Sequence, residues 1–211
     1  MGIQAQGRTT ILKINYRNTR QILETAYRMA GHLLTAEDCD DDGIPLVKPV
    51  SCGRDGPEPL IIDLPTLPGQ AARIAQSLED AHADGFAWGD MAVLCRDIDT
   101  CALCAQALAR RKLPLENRRR PGDYHPLADT IKVLTIQASK GLEFPVVAIP
   151  GIERLTGPDC ATPEDAAQQA RVLYVALTRA THRLVLGVGV WGRSAAEGHA
   201  GPAQCPGKDF L

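Results

Sequence analysis

"KVLTIQASKGLEFPVVAIPG" fills residues 132–151, and its reading decides the fold. Two Val/Ile/Leu-rich runs, "IKVLTI" (131–136) and "FPVVAIP" (144–150), read as strands. Between them a polar turn crowds Ser139, Lys140, Gly141 and Glu143 together. A buried strand has no structural need of a lysine and a carboxylate at its mouth. The turn is therefore where chemistry is to be sought.

Outward from this stretch, strand and helix signals alternate. "TTILKIN" (9–15) reads as a strand, followed by helical spacing of Ile22, Leu23, Ala26, Met29, Ala30 and Leu33 in 18–34. "PLIIDL" (59–64) and "MAVLC" (91–95) read as buried strands, each followed by a helical pattern, at 69–84 and 100–113. A helix over 163–180 and a strand "RLVLGVGV" (183–190) complete the series. Strands alternating with helices of this length predict right-handed crossovers and a mostly parallel sheet covered on both faces, an α/β three-layer domain.

Composition sets outer bounds. The 211 residues are 45% apolar and 23% charged, ordinary for a globular domain. Net charge is −2, so no global basic field advertises nucleic acid, and any such contact must rest on local patches. No apolar stretch approaches the ~20 residues a membrane helix needs, and "MGIQAQ" lacks a signal-peptide apolar region, so no membrane partner and a cytoplasmic location are expected. The seven cysteines, an odd number at irregular spacing, do not read as a disulfide framework. Cys101 and Cys104 form a C-x-x-C on an amphipathic pattern with no second ligand pair, which predicts buried thiols and no metal site.

Three stretches interrupt the alternation. "TAEDCDDDGIP" (35–45) lacks calcium-loop spacing and reads as a solvated acidic turn. "ENRRRPGDYHPLAD" (116–129) reads as a short polar connection whose Arg118, Arg119 and Arg120 form a solvated basic face. The tail after Gly192, rich in Gly, Ala and Pro, is expected to fray, giving a domain over 1–192 and a tail over 193–211.

Ligands of open α/β sheets sit at the carboxyl ends of strands, so the loops leaving residues 15, 95 and 136 are the candidates. In "NYRNTR", Asn15, Tyr16 and Arg17 leave a strand ahead of a helix that Asn18 or Thr19 can cap. An arginine there offers a fork to phosphate oxygens, and a tyrosine a flat face to a base. Lys140-Gly141 suggests a phosphate loop, but the pattern G-x-x-x-x-G-K-[ST] occurs nowhere in the chain. Gly141 instead lets the backbone turn closely, Glu143 can accept from a sugar hydroxyl, and Thr135 and Gln137 can donate to a phosphodiester. In "ARVLYVALTRATHRLVL", Arg179 ends an apolar helix just before a strand, where it can also simply neutralise the helix's negative end.

"LKINYRNTRQIL", "VLTIQASKGLEFPVV" and "ARVLYVALTRATHRLVL", in this order, resemble the three C-terminal motor motifs of UvrD/Rep-type superfamily 1 DNA helicases, and "WGDMAVLCR" (88–96) resembles the strand between them. The resemblance spans residues 10–190. It implies the second RecA-like domain of an ATP-dependent motor, P-loop NTPase-like in fold but lacking the P-loop itself. It implies that Arg17 and Arg179 contact the γ-phosphate of ATP as arginine fingers, that Tyr16 stacks on adenine, and that Gly141 and Glu143 lie beside the ribose and triphosphate. It implies single-stranded DNA contacts at Thr135, Gln137 and Arg96, and 3′-to-5′ translocation. Gln137 stands where the family usually has histidine, and a short connector replaces the large subdomain many relatives insert between about 116 and 131. The Walker motifs being absent, the Mg²⁺ ligands and P-loop are expected from an N-terminal RecA-like domain of the same protein, with Met1 beginning a fragment that does not hydrolyse ATP alone. A non-catalytic DNA-binding or regulatory module built on the same fold is the alternative.

Overall fold

The computed structural model describes residues 14–15, 17–30, 50–51, 53–118, 124–155 and 162–189. Its frame is a six-stranded, all-parallel sheet, in the order β3-β8-β7-β4-β6-β5. The strands are β3 (Leu60–Asp63), β4 (Met91–Cys95), β5 (Leu115–Asn117), β6 (Ile131–Thr135), β7 (Phe144–Ile149) and β8 (Ala180–Val188). A separate two-residue parallel ladder joins β1 (Ile14–Asn15) to β2 (Val50–Ser51). Four helices, α1 (Arg20–Ala30), α2 (Leu67–Ala83), α3 (Ile98–Arg110) and α4 (Pro163–Thr178), cover the sheet.

The strand period of two sorts the core into two layers. On β4 all five residues are buried. Ala92 and Leu94 pack with Leu134, Val147, Ile149, Leu184 and Leu186 under α1 and α4. Met91, Val93 and Cys95 pack with Val133, Val146, Ala148 and Val185 under α2 and α3. Each fully buried Leu, Ile or Val contributes about 1.5–3 kcal/mol, which is why a continuous apolar run is stable only in the middle of such a sandwich. Cys101 and Cys104 are buried free thiols in the second layer beside Cys95, whose own thiol is pushed well up by their hydrogen bonds and by burial.

Local chemistry starts three of the helices. The Thr66 hydroxyl accepts from the Gly69 N–H at 3.3 Å, Asp97 from Thr100 at 2.8 Å and Thr162 from Asp165 at 3.1 Å. Burial pushes the Asp97 carboxyl up, but the bonds from Thr100 and the Arg154 and Arg96 charges outweigh it and hold it low. A buried glutamine, Gln70, ties the far ends of β3 and β7. Its amide donates to Leu64 O at 2.9 Å and its carbonyl accepts from Gly151 N at 2.8 Å. Gly187 on β8 leaves it room, since a Cβ there would stand 2.6 Å from Gln70 Oε1.

Three features differ from expectation. The polar connection after 113 contains a strand: β5 adds to the edge of the sheet beside β6, with Leu115 opposite Ile131. Three residues, two of them Glu116 and Asn117, carry no alternation that a sequence can reveal. The last helix ends at Thr178 rather than 180, and β8 starts at once at Ala180 rather than 183, leaving Arg179 alone at the junction. Between Phe144↔Ala180 and Val146↔Arg183 the register slips, so β8 carries one extra residue opposite Pro145. A bulge is how a central strand accommodates a proline with no N–H to donate. The expected strand over 9–13, the helix end at 31–34, the acidic turn, Arg119, Arg120 and the tail lie outside the described residues.

Candidate functional site

Strand register separates the candidate residues into two groups. Cys95 pairs with Thr135 at the carboxyl end of the sheet, while Met91, four residues earlier, pairs with Val146. Phe144 therefore lies about 20 Å along the strand axis from Thr135, six residues at roughly 3.3 Å each. The eight residues 136–143 cover that distance, running from the carboxyl end of β6 back to the amino end of β7. Arg17, Glu143 and Arg179 thus gather at the amino ends of β7 and β8, opposite to the end where loop rules alone direct attention.

At this amino end, Phe144 N donates to Arg179 O at 3.0 Å, which fixes the entry of β7 beside the start of β8. Arg17 Nε meets Glu143 Oε1 at 2.5 Å, with both side chains partly open to solvent. Arg179 is 3% exposed. Its Nη1 donates to Leu142 O at 3.4 Å, and its Nε has no hydrogen-bond partner among the described residues. The two arginines thus hold consecutive residues of one segment, Leu142 and Glu143. Gly141, at φ +72°, turns that segment in the left-handed region, which costs a residue with a Cβ roughly 1 kcal/mol or more. Tyr16 lies outside the described residues.

A buried guanidinium with no carboxylate is an expensive state, because desolvating a cation costs several kcal/mol unless an anion and hydrogen bonds repay it. Among the described residues Arg179 has no carboxylate partner, and it is such a group. Among the described residues no three His, Cys, Asp or Glu side chains are arranged to hold a metal ion.

Asn18, offered with Thr19 as a cap for α1, is fully buried, and its amide donates to Thr178 O at 2.7 Å and Ala180 O at 2.5 Å, across the fold. Thr19 instead supplies the carbonyl that Leu23 N reaches at 3.1 Å. The start of α1 is held by a neighbouring segment, with Arg20 N donating to Arg54 O at 2.9 Å and Gly56 N to Gln21 Oε1 at 2.9 Å.

The carboxyl end collects the other candidates. The Thr135 hydroxyl accepts from Ala138 N at 3.3 Å, inside the short 3₁₀ turn Gln137–Ser139. Gln137 is exposed, whereas Ser139 is buried and donates to Ile136 O at 2.7 Å. Arg96 is exposed, its Nη1 bonded to Arg154 O. Arg118, read from sequence as a solvated charge, instead donates to Ala138 O at 3.0 Å and braces the same turn. No signal in "ENRRRPG" separates it from its neighbours.

A three-layer α/β domain with all six strands of its main sheet parallel is the class that the fold defines. Residues 117–189 match the family model of the UvrD-like helicase C-terminal domain. The C-terminal domain of a possible DNA helicase from Lactobacillus plantarum WCFS1 superposes with a TM-score of 0.57 at 18% identity, covering 83% of this chain and 88% of that one, so it shares the fold. The ATP-dependent DNA helicase UvrD1 of Mycobacterium leprae is 37% identical over 70 residues, which is 30% of this chain and 9% of that protein. The chain thus matches under a tenth of that curated relative's length.

Proposed function

We propose that this chain is the C-terminal, second RecA-like motor half of an ATP-dependent DNA helicase or translocase working 3′ to 5′, with the domain over residues 1–192 and a tail beyond. The observation that carries this reading is Arg179, buried and short of an anion, beside an Arg17 already held on Glu143. In an assembled motor, ATP lies between this half and an N-terminal RecA-like half that brings the P-loop and the Mg²⁺ ligands. Arg179 and Arg17 then act in trans on the charge that develops on the transferring phosphoryl group. Glu143 is freed for the ribose when Arg17 moves to phosphate, and Tyr16 stacks on the base. The segment 136–143 joins this end to Thr135, Gln137 and Arg96, which contact single-stranded DNA. A change at Glu143 can therefore reach the DNA grip through one short, continuous stretch of chain. No helix among the described residues is long and apolar enough to cross a membrane, and a cytoplasmic setting is part of the proposal.

The test is Arg179→Lys in the full-length protein. An arginine finger is worth about 10³–10⁵ in turnover in well-studied phosphoryl-transfer systems, and lysine keeps the charge without the planar fork. DNA-stimulated ATP hydrolysis should fall by at least about 10²-fold, a cautious share of that range, with folding and DNA binding retained. A variant that keeps most of its turnover would remove Arg179 from the phosphoryl-transfer machinery and leave it a residue that closes a helix, whereas full-length protein with no turnover at all would be the non-catalytic DNA-binding or regulatory module.

A further inference from the structure

We propose that Asn18 is the positioning residue that fixes the two arginines relative to one another, an inference that rests on the nucleotide-facing role proposed for them. Thr178 is the last residue of α4 and Ala180 the first of β8, so the two carbonyls that Asn18 holds, at 2.7 and 2.5 Å, bracket Arg179 on both sides. Asn18 is itself the chain neighbour of Arg17. One buried amide therefore fastens the backbone that carries the first arginine to the carbonyls of the two residues that flank the second, across 160 residues of sequence.

The chemistry of the contact is narrow. A primary amide has two N–H groups on one nitrogen, and both are used on two different carbonyls. Thr178 O is one of the carbonyls a helix leaves unpaired at its end, so the bond also closes α4. Aspartate would turn oxygens toward two oxygens, serine has a single proton, and glutamine is one methylene longer. The remaining backbone of Arg179 is equally committed, its N–H to Ala176 O at 3.3 Å and its carbonyl to Phe144 N at 3.0 Å. The guanidinium is thus aimed by a frame of main-chain bonds, and Asn18 is the part of that frame that also reports the place of Arg17.

The test uses the full-length protein and the variants Asn18→Ala, Asn18→Ser and Arg179→Lys. A displacement of about 1 Å in a catalytic group can cost on the order of 10²-fold. Asn18→Ala should lower kcat for ATP by that order with KM nearly unchanged. It should also weaken binding of ADP–aluminium fluoride, a transition-state mimic, by a comparable factor while leaving ADP affinity intact. In the Arg179→Lys background, Asn18→Ala should take little more from kcat, yet lower the melting temperature as it does alone, because coupled residues do not act additively. Full kcat at a temperature where Asn18→Ala is folded, or losses that add to those of Arg179→Lys, would overturn the proposal and leave Asn18 a stability residue. If the alanine variant does not fold, Asn18→Ser, which keeps one donor, is read in the same assays against the same outcomes. Retained turnover in Arg179→Lys overturns the function and this inference together, whereas loss there with retention in both Asn18 variants overturns this inference alone.

Discussion

Lys132, in the middle of β6, and Arg179, at the head of β8, are both removed from water, at 1% and 3% exposure, yet their surroundings differ in kind. Lys132 Nζ donates to Glu116 Oε2 at 3.1 Å, His125 O at 2.7 Å, Ala128 O at 3.1 Å and Thr130 Oγ1 at 3.0 Å. Among the described residues, Arg179 has one long bond to a carbonyl and a bare Nε. A buried charge is tolerable when it is paired and saturated with hydrogen bonds, as Lys132 is. The contrast separates a cation that its surroundings saturate from one that they do not. Lys132 gathers the connector 124–130 against the edge strand β5.

The comparison can be broken first at Lys132. Removing one partner of a buried ion pair costs about 3–5 kcal/mol, since the other charge stays behind. Lys132→Ala should cost the 211-residue chain that much in denaturant unfolding. A loss below about 1 kcal/mol would mean that water replaces the ammonium, and that the pair is not structural.

The same experiment at Arg179 should give the opposite result. Arg179→Met removes a desolvated charge that no carboxylate repays, and replacing poorly paired buried charge by an apolar side chain is often neutral or stabilising by about 1 kcal/mol or more. Unfolding free energy should therefore hold or rise, while pyrophosphate should raise the melting temperature of the unaltered chain and not that of the variant. Destabilisation comparable to that of Lys132→Ala would place Arg179 among the structural cations.

The smallest expected effect is on acid stability. Burial pushes the Glu116 carboxyl up, but the His125 N–H and the Lys132 ammonium outweigh it and hold the group below its ordinary value. A depressed carboxyl contributes stability that is present above its unfolded-state value and lost as pH falls through its folded-state value. The gap in melting temperature between the unaltered chain and Glu116→Gln should therefore narrow as the pH drops below about 4.3, the ordinary glutamate value. A gap that stays constant on acidification would show that Glu116 adds nothing through its charge.

Much of this frame was legible before any coordinates. The continuous apolar runs at 59–64, 91–95, 131–136 and 144–150 declare strands because only a doubly covered parallel sheet can bury them. Three helices fall within two or three residues of their expected limits, because period and caps are both local signals. The edge strand β5 was invisible, since three residues, two of them polar, pair only because β6 offers an open edge. Between Asn18 and Thr19 the sequence left the cap open for a related reason: a cap and a long-range clamp begin with the same residue types at the same helix start.

By itself the sequence determined the layered parallel architecture and the resemblance of three motifs to helicase motor segments, since both rest on spacing along the chain. Only the tertiary structure decided which of those residues share a place. It put Arg17, Glu143 and Arg179 at the amino ends of β7 and β8, about 20 Å from Thr135 along strands rising roughly 3.3 Å per residue. It also left Arg179 dry and short of an anion while saturating Lys132. The reason is physical: burial and pairing depend on what the rest of the chain brings within 3 Å or so of a group, and a residue's neighbours in sequence do not fix that.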